Sequence, residues 1–345
     1  MTSELRTVQQ AAPVPPGAVP NDDSIAALGC SVVVPVYRSQ ATLEELTRRL
    51  QAVLPGISPR YELVLVNDGS PDDSWKLIQR LAAEFPFVRG ISLMRNYGQH
   101  NATLCGIRAA RFGVVVTMDD DLQHAPEDVP VLVAKLAEGY DVVYGVWRER
   151  TVAWWRAFFA KLTRSAVAWV MGSGTVRDIS PFRALRTRIR SAFEQFDSPD
   201  VLVDVLFSWG TSKFGVAKVT ERDRAVGQSN YSFWKLAKIS LLVLTSYTTA
   251  PLRFANLVGL CLTVFGVGVF AHVLYVYFVL GSIPGFPFLA AVILSFGGVQ
   301  LFALGVIGEY LARVFERTAG RPTYTVGQTT TEAAHRGSAS NTQST

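Results

Sequence analysis

The chain has 345 residues, 49% of them hydrophobic, with 33 Lys and Arg against 28 Asp and Glu and a formal net charge of +5. This balance is too weakly basic to argue for a nucleic-acid partner, and it suits a protein on an anionic membrane surface that handles phosphorylated ligands. Cys30, Cys105 and Cys261 are far apart, with no C-x-x-C and no histidine at metal spacing, which speaks against a disulfide framework or a zinc site and for reduced thiols in a cytosolic compartment.

Residues 1–29, rich in Ala, Pro, Gln and Asp, lack the apolar segment of a signal peptide and read as a disordered arm. From Cys30 the pattern alternates. Ser31–Val36, Glu62–Asn67, Val88–Met94, Val114–Asp119 and Asp141–Gly145 read as strands. Thr42–Leu54, Asp72–Phe85 (with Ser70 or Asp72 as cap), Gln99–Phe112 and Asp128–Leu136 read as helices. Such βαβ alternation predicts an α/β fold with a mainly parallel sheet covered on both faces.

Polar residues cluster where these strands end: Pro35, Tyr37 and Arg38, then Asn67–Ser70, then Arg95–His100, then three aspartates. Each loop taken singly could be a turn. Four of them along one sheet edge fit better with a ligand crevice at the carboxyl ends of the strands. The central stretch is Val114–Glu127, V-V-V-T-M-D-D-D-L-Q-H-A-P-E. Three adjacent carboxylates repel one another, and a hard divalent cation relieves that repulsion; the competing reading is a solvated acidic turn. Strand alternation would send Asp119 and Asp121 to one side and Asp120 to the other, as a structural or solvated neighbour.

Trp154–Met171 mixes Trp154, Trp155, Phe158, Phe159, Leu162 and Trp169 with Arg156, Lys161 and Arg164. It reads as an amphipathic helix in a membrane interface, or else as a core helix with a charged face. Asp178–Leu185 returns to the globular domain, and Lys213–Thr220 reads as a further strand at an edge. Arg222 and Arg224 precede the loop G-Q-S-N-Y, which suits either a diphosphate or lipid head groups. A second interfacial helix is expected over Ser232–Tyr247, within residues 231–253. Phe254–Leu280 and Phe286–Leu311 are each long enough to span a bilayer, the first interrupted only by His272 and the second carrying Glu309. Lys235, Lys238 and Arg253 before them and Arg313, Arg317 and Arg321 after them put both ends in the cytoplasm. The tail from Thr323 is polar and reads as disordered.

The motifs P-V-Y, N-D-G-S, R-N-Y-G-Q-H, D-D-D-L-Q-H-A-P-E, S-P-F-R-A-L and R-x-x-G-x-S-x-Y-S-F, followed by two spans, resemble family 2 glycosyltransferases of GT-A fold, and within them the bacterial polyprenyl-phosphate glycosyltransferases. The likeness runs from about Cys30 to Arg321. It implies a GT-A nucleotide-sugar-binding domain at residues 30–230, interfacial helices, two transmembrane helices within 254–313 and a cytoplasmic tail at 314–345. The implied reaction is inverting transfer from a nucleotide-sugar to polyprenyl phosphate at the inner membrane, by a homo-oligomer surrounded by membrane lipids. Asp119, Asp121 and Gln123 match the metal shell for Mg²⁺ or Mn²⁺; Pro35, Tyr37, Asp68, Asp119 and Asp120 match the nucleotide site. Arg222, Arg224 and Ser229 correspond to the diphosphate loop, and Arg148, Arg156 and Arg164 loosely to the acceptor-phosphate residues. Asp121 and Arg224 carry the catalytic role in this reading. Asp178, Asp200 and Asp204 are candidate bases, with a structural or capping role preferred. Two departures stand out: Ser39 where many relatives have Glu, and Asn230 in place of a lysine. A processive synthase would bring a Q-x-x-R-W motif and more spans, which are absent; a non-catalytic nucleotide-sugar-binding scaffold is the reading from another class.

Overall fold

The computed structural model describes residues 25–146, 179–199, 201–220, 250–280 and 285–330. The interfacial helix expected at 154–171, the arginine loop and the second interfacial helix expected over Ser232–Tyr247 lie outside them, and residues 250–253 of the segment given to that helix belong to the long helix that follows.

The strands are β1 (Cys30–Val36), β2 (Tyr61–Asn67), β3 (Val88–Leu93), β4 (Val114–Thr117), β5 (Val142–Val146), β6 (Arg183–Arg186), β7 (Phe214–Lys218) and β8 (Val326–Thr329). They form one sheet in the order β7-β5-β6-β4-β1-β2-β3-β8. The pairs β4–β1, β1–β2, β2–β3 and β5–β7 are parallel, whereas β6 runs antiparallel to both neighbours and β8 antiparallel to β3. The helices are α1 (Ile25–Leu28), α2 (Leu43–Val53), α3 (Ser74–Glu84), α4 (Gln99–Ala109), α5 (Val129–Ala137), α6 (Val203–Gly210), α7 (Ala250–Leu280) and α8 (Phe286–Thr318).

The valine-rich strands are apolar throughout because both sheet faces are covered. Along β1, Val32, Val34 and Val36 face a core with Leu43, Leu46 and Leu50 of α2, Ile78 and Leu81 of α3 and Leu132 of α5. Val33 points to the opposite core, with Ala102, Leu104 and Ile107 of α4 and Val205 and Leu206 of α6. These side chains are fully buried, and each Val, Leu and Ile among them contributes about 1.5–3 kcal/mol relative to exposure. Gly106 of α4 sits where a Cβ would overlap Val33 Cγ1, so helix and strand are in closest contact there.

The further strand expected over Lys213–Thr220 is β7, and it lies at an edge of the sheet. Two expectations need correction. Neither Ser70 nor Asp72 caps α3 at its N-cap position: Asp73 stands there without a side-chain cap bond, and Asp72, the residue before it, accepts the N–H of Ser74, the first helical residue, at 3.3 Å. The tail from Thr323 is ordered where it meets the sheet. Thr, Tyr and Val favour extended backbone, and the open edge of β3 supplies the partner that a polar segment lacks when read alone.

Helices α7 and α8 run antiparallel after a short connection and pack together, with Gly266 leaving room for the Phe296 ring. Leu252–Val276 of α7 is the one stretch among the described residues long and apolar enough to cross a membrane; the apolar part of α8, Phe296–Ala312, is shorter. Both helices carry large apolar side chains on their outer faces, among them Phe254, Val264, Phe278, Leu301 and Phe315.

Substituting Gly106→Ala should lower stability by about 1–3 kcal/mol through overpacking against Val33, read as a lower thermal unfolding midpoint of the purified full-length chain.

Candidate functional site

The carboxyl ends of β1, β2, β3 and β4 open into a cavity of about 370 Å³ lined by Pro35, Val36, Tyr37, Asp68, Asn96, Gly98, Gln99, Asp119, Asp120 and Asp121. Six residues singled out in the sequence (Pro35, Tyr37, Asp68 and the three aspartates) therefore share one wall. Gln123 is not on that wall; its backbone N–H donates to Asp121 Oδ1 at 3.1 Å. Arg148, Arg156, Arg164, Arg222, Arg224 and Ser229 lie outside the described residues.

The aspartates follow β4 rather than belonging to it. The strand stops at Thr117, the last residue paired with β1 and β6, and Leu122 has φ 60°. The alternation expected to separate Asp120 from its neighbours therefore does not apply; the backbone has already left the extended conformation. A left-handed non-glycine residue is held only where its surroundings impose it, and Leu122 is buried.

Each aspartate is instead tied to a different segment. Asp119 Oδ1 accepts from Gln99 Nε2 at 2.5 Å. Asp120 Oδ2 accepts from the Ser39 hydroxyl and from the Tyr37 N–H, the latter at 3.2 Å. Asp120 is thus a structural tie, not a solvated bystander. Ser39, where the resemblance expects Glu, supplies the side-chain donor of this tie. Burial raises the Asp120 pKa above the usual carboxylate value, with the Ser39 hydroxyl and the Tyr37 N–H opposing the shift and Asp121 adding to it.

Asp68 is buried at the end of β2 and accepts two N–H groups from the loop after β3, Tyr97 at 2.7 Å and Gly98 at 2.8 Å. Burial raises its pKa and these two donors pull it back. Gly69 has φ +62°, and a Cβ there would run into the Arg95–Asn96 backbone, so the loops after β2 and β3 are in direct backbone contact. Gln99 and Asn96 were legible only as polar members of R-N-Y-G-Q-H; their place on the wall follows from this contact.

A buried network lies beneath β4. Arg183 pairs with Asp204 and donates Nε to Thr117 Oγ1 at 3.1 Å; Tyr144 donates its hydroxyl to Asp204 at 3.0 Å. Burial alone would lower the Arg183 pKa; Asp204, together with Tyr144 and Asp119, raises it above the usual value. Asp204 is committed to this pair, which is the structural role the sequence favoured over that of a base. His124 packs on Phe182 with ring centroids 5.0 Å apart, and burial pushes its pKa down to about 4 against the pull of Asp121, so the ring is neutral near pH 7.

Among the described residues no three His, Cys, Asp or Glu side chains form a ready-made metal cage. Asp119 and Asp121 offer hard oxygen donors beside an open cavity. That suits a cation such as Mg²⁺, which takes one or two carboxylates and fills the remaining positions with water and substrate phosphate.

Residues 31–196 match the family model for Glycosyl transferase family 2. The chain is 36% identical over 300 residues to the undecaprenyl-phosphate 4-deoxy-4-formamido-L-arabinose transferase of Shewanella sediminis, covering 86% of this chain and 91% of the relative. It is 35% identical over 298 residues to the protein of the same description from Proteus mirabilis, covering 85% and 91%. Among solved structures, glucosyl-3-phosphoglycerate synthase from Mycobacterium tuberculosis, in complex with Mn²⁺, UDP-glucose and phosphoglyceric acid, has a TM-score of 0.50 at 20% identity over 66% of this chain and 80% of that one, a likeness of fold.

Gly69→Ala should force the loops after β2 and β3 apart. The expected result is faster hydrogen exchange at the Tyr97 and Gly98 amides, with the amides of β1 and β2 still protected.

Proposed function

The chain belongs to glycosyl transferase family 2, among its polyprenyl-phosphate glycosyltransferases, and we propose that it transfers one sugar, with inversion, from a nucleotide-sugar to undecaprenyl phosphate at the cytoplasmic face of a bacterial membrane. The observation that carries this reading is the extent of the likeness to the two undecaprenyl-phosphate sugar transferases. A match over 300 of 345 residues cannot end before the long helices, so it covers more than a sugar-nucleotide domain.

In this reading the nucleoside lies against Pro35, Tyr37 and Asp68, with Asp119 and Asp120 at its ribose and phosphate side; all five line the cavity. Asp119 and Asp121, with Gln123 beside them, would hold Mg²⁺ or Mn²⁺. The ion, when bound, neutralises charge on the departing diphosphate. Arg222, Arg224 and Ser229 are assigned to the same diphosphate, and Arg148, Arg156 and Arg164 to the acceptor phosphate. The acceptor is already an anion, so the site needs alignment rather than a strong base; the engagement of Asp204 with Arg183 fits that requirement.

The membrane assignment is supported by the long apolar stretch in α7, by the exposed apolar side chains of α7 and α8, and by the return of the chain to the sheet at β8. A helical hairpin that leaves and rejoins one domain has both ends on one side of a bilayer. Arg253, Arg313, Arg317 and Arg321 near those ends favour the cytoplasmic side.

Membranes containing the chain, given undecaprenyl phosphate and a panel of UDP-, GDP- and dTDP-sugars, should yield one new glycosyl lipid by mass spectrometry. Asp121→Asn should lower transfer by about 100-fold or more, the scale for losing a group that stabilises developing charge. Retained transfer by the purified variant would overturn the metal assignment, and binding of a nucleotide-sugar without product would favour a scaffold.

A further inference from the structure

Helices α7 and α8 pack on each other, and after α8 the chain returns to the sheet domain at Thr323, separated from the helix by Ala319–Pro322 alone. Thr323 is polar yet buried. Its N–H and its hydroxyl both donate to Asp197 Oδ1, each at 3.0 Å, and its hydroxyl oxygen accepts the Ser198 N–H at 3.1 Å. A buried hydroxyl is costly unless it is paired, and here one hydroxyl acts as donor and acceptor at once. The junction is therefore a hydrogen-bonded clamp.

The far side of the clamp is itself mounted on α4. Arg108 donates to the Phe196 carbonyl at 2.5 Å, and Asn101 Nδ2 donates to the carbonyls of Pro199 at 3.2 Å and Tyr97 at 2.6 Å. Helix α4 starts at Gln99, which donates to Asp119 at the cavity. A continuous set of hydrogen bonds and one helix thus joins the end of α8 to the cavity wall. Beyond the clamp, the Thr325 carbonyl accepts the Met94 N–H at 3.0 Å, β8 pairs with β3, and Thr330 Oγ1 accepts the Gly90 N–H at 3.0 Å. Those bonds keep the strand on the sheet. Without the clamp, the first fixed point after α8 moves from Thr323 to Thr325, and two more residues add about 7 Å of reach to the link.

We propose that Thr323 and Asp197 are positioning residues for the lipid-phosphate acceptor, locking the helical hairpin to the domain so that the cavity stands at a fixed height over the bilayer. This rests on the reading of the hairpin as a membrane anchor and of the acceptor as a lipid phosphate. Neither side chain is assigned a contact with the reacting atoms. Their effect is on encounter with a substrate confined to the bilayer: a slack link spreads the cavity over more positions and lowers the effective concentration of acceptor at it. The nucleotide-sugar arrives from solution and is indifferent to that height.

The test uses the full-length chain in lipid nanodiscs containing undecaprenyl phosphate, with Thr323→Val and Asp197→Ala to break the clamp and Thr323→Ser and Asp197→Asn to keep its hydroxyl and its acceptor oxygen. A fifth variant leaves the clamp intact and inserts Gly-Ser-Gly-Ser after Gly320, lengthening the link. T323V, D197A and the insertion should raise KM for undecaprenyl phosphate by about 3- to 10-fold, the scale of one lost hydrogen bond. Donor KM, UDP, GDP and dTDP affinities measured with Mn²⁺, and the melting temperature should stay near wild type, and T323S and D197N should behave as wild type does. Unchanged acceptor KM in T323V, D197A and the insertion would overturn the proposal. So would equal shifts in donor and acceptor KM, or an acceptor shift that comes with a lower melting temperature, either of which marks a merely structural clamp. A wild-type chain that transfers no sugar to undecaprenyl phosphate from any donor would instead overturn the reading of the function, and the proposal with it.

Discussion

Three carboxylates in succession, at the end of a buried strand, are the constraint on which the rest of this site depends. At short range in a partly buried setting their repulsion is large. The fold meets it by separating their partners. Asp119 is tied to the loop after β3 through Gln99, Asp120 to the loop after β1 through Ser39 and Tyr37, and Asp121 to its own turn through Gln123. The same charge that makes the segment costly makes it the cross-link between loops from three strands. Added positive charge, from a cation or from arginines around a diphosphate, would complete a balance that protein donors only begin.

Much of this was legible in the sequence, because the signals are local. The Val-rich runs, the N-D-G-S turn and the apolar segments after Pro251 depend on composition and period, and the structure places β1, β2, β4 and α7 where those signals stand. The failures share a cause too. The alternation argument for the aspartates assumed that β4 continued through them, but a strand lasts only while it has neighbours, and both β1 and β6 stop pairing at Thr117. Thr323–Thr330 looked like loose tail because its polarity was weighed without the edge of β3, which is remote in sequence.

Ser39 illustrates a further limit. Against the family pattern it reads as a lost contact. In the fold its hydroxyl reaches Asp120, so the short side chain joins two loops where a carboxylate would add a fourth negative charge. No spacing rule connects positions 39 and 120; only the adjacency of β1 and β4 does.

The order of the sheet also explains how the proposed membrane hairpin and the proposed nucleotide site can share one short segment. β3 lies at the end of the parallel run β4-β1-β2-β3, so its outer edge is free to accept β8, while its carboxyl end carries the loop that meets Asp68 and Asp119. A strand added at β7, the other edge, would lie far from that loop. Returning the chain from α8 to β3 therefore does two things with one set of backbone hydrogen bonds. It covers an exposed sheet edge, and it sets the distance between the proposed membrane plane and the cavity. For a transfer in which one substrate is a soluble nucleotide-sugar and the other a lipid phosphate, that distance is the quantity the architecture has to hold constant, and the short link Ala319–Pro322 leaves little slack in it.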